Sequence, residues 1–482
     1  MPAFSVITFG CQMNSHDSER LSEVLTGAGY WATEKLEEAD VVLLNTCSVR
    51  EKAEQKLRSE VGRLGLLKRE RPGLLIGVAG CVAQQEGERL IKTLPQIDIV
   101  IGPDNIAELP TLLARAEAGS PPQVRTEFDL DAPEFLQARP EAGKVMPSAF
   151  VTVMKGCDER CSYCVVPYTR GPERYRPSRE ILDEIERLVL AGVKEVTLLG
   201  QTVNSYRDPS GSLPAAPPSA LEFRQAPHLR ANEAESEFPA LLHAIARQVP
   251  GLLRLRYTSP HPRHLTARLI SAHTEIPILA KHVHMPVQSG SDRLLKKMIR
   301  RYSAEEYLER ITALRDSVPG MTLSTDVIVG FPGETLEDFQ ATLELVEKVG
   351  FVGLFGFKYS PRPHTPSLKL EDDVPEPEKA RRLAELFDVV ERARIAHLTS
   401  LIGTTQQVLV EGLNQRGGYT GRTERNEIVH FWATTSPVGE VCEVRILRAF
   451  KNSLAAELVE PTRHLPWQDQ KTKAQLRALP VM

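Results

Sequence analysis

Three cysteines, Cys157, Cys161 and Cys164, fall within one short stretch, Lys155-Gly156-Cys157-Asp158-Glu159-Arg160-Cys161-Ser162-Tyr163-Cys164, directly after the apolar run Ala149-Phe150-Val151-Thr152-Val153-Met154. No fourth thiol or histidine stands near them in the sequence, so three ligands would leave a metal site open. A structural zinc site closes with four ligands, whereas soft thiolates at three-then-two spacing wrap a compact iron–sulfur cluster. An open iron invites a small chelating ligand. Three more thiols stand far apart, in Gly10-Cys11-Gln12-Met13-Asn14, Asn45-Thr46-Cys47-Ser48 and Ala79-Gly80-Cys81-Val82. A lone cysteine after a strand is commonly a small buried hydrophobe, but these three share one topological place.

That place follows from the elements around them. Phe4–Phe9, Val41–Leu44, Leu74–Ala79 and Ile97–Ile101 read as strands, with amphipathic helices between them, which is the order of a parallel sheet with crossover helices. The carboxyl ends of such strands share one edge where ligands collect, so Cys11, Cys47 and Cys81 can converge there. Gly10 and Gly80 would let backbone approach a bulky cluster. An open three-thiolate site could also take zinc. The seventh cysteine, Cys442, shares an apolar strand face with Val444 and Ile446 and reads as core packing.

The chain has 482 residues, 41% hydrophobic and 25% charged, with a net charge of −4. That is room for two to four domains and no global basic field, so any RNA site must be a local patch. Seven cysteines, an odd number, do not make a disulfide framework. No apolar run approaches a membrane span, and the amino terminus enters a strand without a signal pattern, so a cytoplasmic protein with no membrane partner is expected.

The CxxxCxxC run with Tyr163 resembles the radical S-adenosylmethionine (SAM) enzymes. The resemblance implies that Cys157, Cys161 and Cys164 hold a [4Fe-4S] cluster, that SAM chelates its fourth iron, and that one electron cleaves SAM to a 5′-deoxyadenosyl radical. The three amino-terminal segments resemble the methylthiotransferases, a subgroup with a second [4Fe-4S] cluster. Here the resemblance implies Cys11, Cys47 and Cys81 as ligands of the sulfur-carrying cluster. Asn45-Thr46-Cys47-Ser48-Val49-Arg50-Glu51-Lys52-Ala53 and Cys81-Val82-Ala83-Gln84-Gln85-Glu86-Gly87 are similar to the branch that modifies C2 of N(6)-isopentenyladenosine beside the anticodon of tRNA. Its partners would be that tRNA, a flavodoxin- or ferredoxin-type reductant and a sulfur donor, with the chain a monomer.

Beyond the cysteine loop, Thr169-Arg170-Gly171-Pro172-Glu173-Arg174-Tyr175-Arg176-Pro177-Ser178-Arg179 is strongly basic. It could hold phosphates or the SAM carboxylate, or be a solvated face. A βα rhythm then resumes: a helix opening at Ser178, strand Glu195–Leu199, a Ser303/Glu306 capping box, strand Leu323–Val329, helix Leu336–Val349 and strand Val352–Tyr359. Repeated units of this size suggest a full or partial barrel with its chemistry at the carboxyl ends, and radical SAM cores are similar to a six-unit version, (β/α)6. The family pattern makes Tyr163, Gln201, Asn204, Ser259, Gln288 and Asp326 contacts to SAM or substrate, although strand-end polar residues often only cap helices. His261, His264, His282 and His284 receive no ligand role. Residues 207–237, rich in proline and poor in apolar side chains, read as a disordered insertion.

From about residue 396 the pattern turns all-β, with short strands Gln406–Val410, Gly418–Thr423, Ile428–Trp432, Glu440–Leu447 and Leu454–Val459. These suit a small antiparallel barrel, punctuated by Arg416, Arg422, Arg425, Arg445, Arg448 and Lys451, with Tyr419, Phe431 and Trp432 available for packing or base stacking. It resembles a TRAM domain, an RNA-binding module. The expected fold class is therefore α/β: a methylthiotransferase amino-terminal parallel-sheet domain (1–125), a linker (126–145), a partial (β/α)6 radical SAM core (146–395), a TRAM-like barrel (396–462) and a tail (463–482). The alternatives are the same chemistry on threonylcarbamoyl-adenosine or on a ribosomal protein aspartate, a non-catalytic iron–sulfur RNA-binding redox sensor, and a zinc-stabilised structural protein.

Overall fold

The structure, a computed structural model, describes residues 1–48, 51–131, 133–139, 146–217, 229 and 236–459, with the backbone alone at 51 and 52. It divides into two compact units, one of Met1–Arg139, Met154–Arg174 and Ser360–Lys369, the other of Pro140–Val153, Tyr175–Tyr359 and Leu370–Met482. All six cysteines of the two trios lie in the first unit.

The first unit is built on a six-stranded parallel sheet in the order Trp31–Ala32, Ala3–Phe9, Val41–Thr46, Leu75–Ala79, Ile99–Ile101, Gln123–Arg125. A strand's side chains alternate between faces, and here both faces are covered. Val42, Leu44, Ile76 and Val78 meet Leu57, Val61 and Leu64 of helix Glu51–Glu70 on one side. Val41, Leu43, Ile99 and Ile101 meet Leu21, Leu25, Leu109, Leu112 and Leu113 on the other. Burial on both faces explains why the central strands read as unbroken apolar runs. The sequence reading missed the edge strands Trp31–Ala32 and Gln123–Arg125, because two or three residues are too few to show a period. The segment after them wraps the unit: Lys155 Nζ lies 5.3 Å from the Phe135 ring centroid and donates to Glu134 O at 2.6 Å.

The second unit holds two three-stranded parallel sheets, Arg254–Tyr257/Glu195–Leu199/Ser148–Thr152 and His282–His284/Thr322–Val329/Gly353–Lys358. The chain at 278–284 joins them. Leu255 pairs with Leu279 as an isolated parallel bridge, and three residues later His282 begins pairing with Thr322. Each strand is followed by a helix, Ser178–Leu190, Phe238–Gln248, Ala267–Glu275, Ala304–Ser317, Leu336–Val349 and Glu376–Ser400. The result is an open six-unit βα barrel. Its helix starts are locally written: Ser303 with Glu306 and Thr335 with Asp338 both form capping boxes.

The carboxyl-terminal strands Thr405–Leu413, Tyr419–Thr423, Ile428–Phe431, Leu454–Leu458 and Val441–Ala449 close into a barrel in that order. Its closing pair, Ile428–Phe431 with Leu454–Leu458, is parallel and the other four ladders are antiparallel. Cys442 sits in its core beside Val444 and Ile446. The barrel is tied to the amino ends of the parallel strands, where Arg256 Nη2 donates to Thr423 O at 2.7 Å and Arg254 Nη1 to Arg422 O at 3.0 Å.

The insertion expected to be disordered begins with an ordered turn. The Asp208 carboxylate accepts from Ser178 N at 3.0 Å, Ser178 Oγ at 2.8 Å, Ser210 Oγ at 2.7 Å and Ser212 N at 3.0 Å. Residues 218–228 and 230–235 of that insertion, Val49 and Arg50 of the family-like run, and the tail from 460 lie outside the described residues. Among the described residues no helix is long and apolar enough to cross a membrane.

Leu43, fully buried in a central strand, should cost about 2–5 kcal/mol of unfolding free energy as Leu43→Ala, read by urea denaturation. Leu66→Ala, at a position 59% exposed, is the control and should leave the midpoint nearly unchanged.

Candidate functional site

Strands Ala3–Phe9, Val41–Thr46 and Leu75–Ala79 are consecutive neighbours, and their register aligns Phe9 with Thr46 and Asn45 with Ala79. Parallel neighbours run about 4.8 Å apart, so residues just past flush ends are held side by side. Cys11, Cys47 and Cys81 are those residues. Cys11 is the N-cap of helix Gln12–Gly27, and Cys81 opens helix Cys81–Glu86. Cys47 N donates to Phe9 O at 2.8 Å, which ties the second loop to the end of the first strand.

A buried amide network stitches these loops together. Asn14 Nδ2 donates to Asn45 Oδ1 at 3.0 Å, while Asn45 Nδ2 donates to Asn14 O at 2.8 Å and to Ser18 Oγ at 2.9 Å. Asn14 and Asn45 are fully buried, so each missing bond would cost about 1–3 kcal/mol. The glycines serve this closeness more directly than they serve approach to a cluster. A Cβ at Gly10 would sit 2.6 Å from Cys47 Cβ, and one at Gly80, whose φ is +88°, would overlap Asn45 Oδ1.

Hydrogen bonding with the Cys47 thiol holds the Cys11 thiol down at about 6 against burial, helped by the Asn14 and Met13 backbone and the Arg170 charge. Burial pushes the Cys81 thiol up, against the same Arg170 charge. Arg170 Nε donates to Cys81 Sγ at 3.3 Å, and its terminal nitrogens fork onto the Asp17 carboxylate. Burial raises the Asp17 carboxyl, but Arg170 and His16 outweigh it and hold the group at about 2. Among the described residues no three His, Cys, Asp or Glu side chains close on one point as the ligands of a single ion do, and no disulfide joins the seven cysteines.

The other trio lies in a loop pinched at its neck. Cys157 N donates to Gly171 O at 3.1 Å, and a Cβ at Gly156 would overlap the Pro172 carbonyl. Cys164 N donates to Cys161 O at 3.1 Å, closing a turn around the half-buried Tyr163, while Ser367 N donates to Ser162 O at 2.8 Å. The loop runs into helix Val166–Thr169, which packs on helix Cys81–Glu86 and is capped by Arg170.

At three of its four arginines the basic run is therefore neither a solvated face nor available to a phosphate, while Arg179 is exposed. Arg170 pairs with Asp17, Arg174 with Asp104, and Arg176 with Glu184, all with buried side chains. Burying a guanidinium requires a charged partner, and those partners lie elsewhere in the sequence. The run's density of arginines was the visible signal. Asp17, Asn14 and Asn45 gave none beyond standing close to a cysteine.

In the second unit, Gln201, Ser259 and Gln288 follow parallel strands at their carboxyl edge, and Asp326 lies inside Thr322–Val329 alongside Gln288. Both amide atoms of Gln201 are shielded from solvent with no hydrogen-bond partner among the described residues. Ser259 and Gln288 take left-handed φ values of 58° and 71°, a strain of about 1–3 kcal/mol each that concentrates at ligand sites. The Gln288 backbone is fixed there by bonds to Asp326 O at 2.8 Å and from Ile328 N at 3.0 Å. Asp326 Oδ1 lies 3.2 Å from His284 Nε2. Asn204 differs from its neighbours. Its amide is spent on the His261 backbone, accepting from N at 2.7 Å and donating to O at 3.0 Å, which makes it a brace for the Ser259 loop.

His282 and His284 meet Thr322 and Ser324 hydroxyls at 2.9–3.1 Å and read as satisfied. On the small barrel, Phe431 is core and Tyr419 packs on it. A cavity of about 500 Å³ there is lined by Arg416, His430, Trp432, Phe450 and Lys451 among others.

Residues 3–102 match the uncharacterized protein family UPF0004, 151–346 the radical SAM superfamily and 399–459 the TRAM domain. Fold and matches together define a radical SAM protein that carries a TRAM barrel. A protein of Sorangium cellulosum named tRNA-2-methylthio-N(6)-dimethylallyladenosine synthase is 61% identical, over 96% of this chain and 94% of its own. Proteins of the same name from Geobacter sulfurreducens and Bordetella petrii are 45% and 44% identical, over 97% and 90% of their lengths. The chain belongs to the tRNA-2-methylthio-N(6)-dimethylallyladenosine synthase family.

Gly80→Ala should lower the iron bound per chain after anaerobic reconstitution, because its Cβ displaces Asn45 and with it the Cys47 loop. Gly62→Ala, where a Cβ meets nothing within 4 Å, should bind as much iron as the unaltered chain.

Proposed function

We propose that this chain adds a methylthio group to C2 of N(6)-isopentenyladenosine next to the anticodon of tRNA. The observation that carries the reading is the pair of three-cysteine sets within one compact unit, the first on three flush strand ends and the second in a pinched loop, joined through Arg170. The residues suit iron–sulfur clusters in donor type and charge: six thiols, one already acidic near 6, with a guanidinium against another. They suit SAM through polar atoms with no partner among the described residues, those of Gln201, at the edge where a barrel binds ligands.

When bound, the two [4Fe-4S] clusters and SAM supply one-electron cleavage and a transferable sulfur, which a C2–H bond requires because no side-chain base removes so weakly acidic a proton. Cys157, Cys161 and Cys164 would hold the cluster that SAM completes, and Cys11, Cys47 and Cys81 the sulfur-carrying one. Tyr163 stands within the pinched loop, between Cys161 and Cys164. Gln201, Ser259, Gln288 and Asp326 would orient SAM and the adenosine, with Asn204 holding the Ser259 loop in place. The small barrel would grip RNA through Arg416 and the aromatic wall of Trp432 and Phe450, since stacking on such faces contributes about 1–3 kcal/mol per base. The reading brings with it a flavodoxin- or ferredoxin-type reductant, a sulfur donor, and a monomer working in the cytoplasm.

Reduced, reconstituted protein given SAM and tRNA carrying isopentenyladenosine should release 5′-deoxyadenosine and yield the methylthio nucleoside by mass spectrometry of digested tRNA. Cys157→Ala should abolish both products. Cys11→Ala should abolish the methylthio nucleoside while retaining 5′-deoxyadenosine. Methylthiolation of threonylcarbamoyl-adenosine in place of isopentenyladenosine would reject the substrate.

A further inference from the structure

Arg170 points three donors at two different groups. Its Nε reaches Cys81 Sγ at 3.3 Å, while Nη1 reaches Asp17 Oδ1 at 3.3 Å and Nη2 reaches the other carboxylate oxygen more closely. The Arg170 and Asp17 side chains are 5% and 9% exposed. A guanidinium is planar, with its donors fixed in direction, so a carboxylate gripping the outer edge also settles where the Nε–H points. Asp17 belongs to helix Gln12–Gly27, the helix that Cys11 caps. The guanidinium thus stands between the carboxylate and the sulfur. The pair's positive end faces the thiol.

A pairing that served folding alone would be complete with Asp17. The Nε–H goes instead to a sulfur of the trio, in a low-dielectric setting where charge and hydrogen bonds act strongly. Hydrogen bonds to cluster sulfurs and nearby charge are the protein's means of tuning a cluster's potential. Resting on the reading of Cys11, Cys47 and Cys81 as ligands, we infer that Arg170 is a positioning residue that sets the electron affinity of the cluster they hold, with Asp17 fixing its aim and offsetting part of its charge. An added electron makes the cluster more negative, so Arg170 favours the reduced state and Asp17 opposes it.

The two partners therefore shift the potential in opposite directions, which a purely structural pair would not do. The test uses full-length protein with Cys157→Ala, Cys161→Ala and Cys164→Ala, reconstituted so that the amino-terminal trio alone can hold a cluster, and titrated stepwise with dithionite while its electron paramagnetic resonance signal is followed. Arg170→Gln should disfavour reduction by tenfold or more, about 59 mV downward for a one-electron couple. Asp17→Asn should move the midpoint upward. Shifts in the same direction, or none from either change, would overturn the inference. Should Arg170→Gln fail to fold, the sign of the Asp17→Asn shift decides alone. If the three-cysteine variant binds no iron at all, it is the ligand reading itself that fails, an outcome distinct from iron bound with an unmoved potential.

Discussion

The register of three parallel strands is the constraint on which the amino-terminal site depends. Phe9 opposite Thr46, and Asn45 opposite Ala79, bring the ends of three strands to one level. Each strand then delivers one cysteine to the same edge. A slip of one residue would turn every side chain to the opposite face, exchanging Leu43 for Val42 in two cores at once. The apolar content of both faces therefore protects the register, and through it the thiols. This couples the packing energy of the sheet to the geometry of a site that contributes little packing itself.

Polar groups complete what the sheet begins. The Asn14–Asn45–Ser18 network holds the loops after the first and second of these strands, and Gly80 removes the Cβ that would push the third away. Arg170 then adds a charge from a segment that follows the other trio, against Cys81 and Asp17. Buried charges of this kind are stable only as a complete set, because removing one partner leaves the other desolvated. The same logic explains the basic run. Its arginines look exposed when read as a string, yet Asp104 and Glu184 draw Arg174 and Arg176 inward.

The second unit keeps its support apart from its strained and unmet polar groups. At the amino ends, Arg254 and Arg256 hold the small barrel. At the carboxyl ends stand the strained residues Ser259 and Gln288 and the unpartnered amide of Gln201. Strain and unmet hydrogen bonds cost stability, and their gathering at one edge marks where a ligand can repay it. Asn204 lies among them with its amide bonded both ways to the His261 backbone, so part of its hydrogen-bonding capacity braces the Ser259 loop.

Local physics was legible in the chain from the start. The CxxxCxxC spacing, the apolar runs of the central strands, the Ser303/Glu306 capping box and the short strands of the small barrel each depend on residues within a few positions of one another, so their types and order are sufficient. The edge strands Trp31–Ala32 and Gln123–Arg125 were too short to carry a period, and the turn on Asp208 was hidden in a stretch whose composition suggested only disorder. Which partners Arg170 and Arg174 take was decided by the tertiary structure alone. Arg170 and Asp17 are 153 positions apart, as unrelated in sequence as any two charges, and only the folded sheet and the pinched loop bring them within reach. Spacing along a chain encodes neighbours of one turn or one strand. The pairing of distant polar groups depends on the desolvation they share after the core has closed, and no local pattern carries that information.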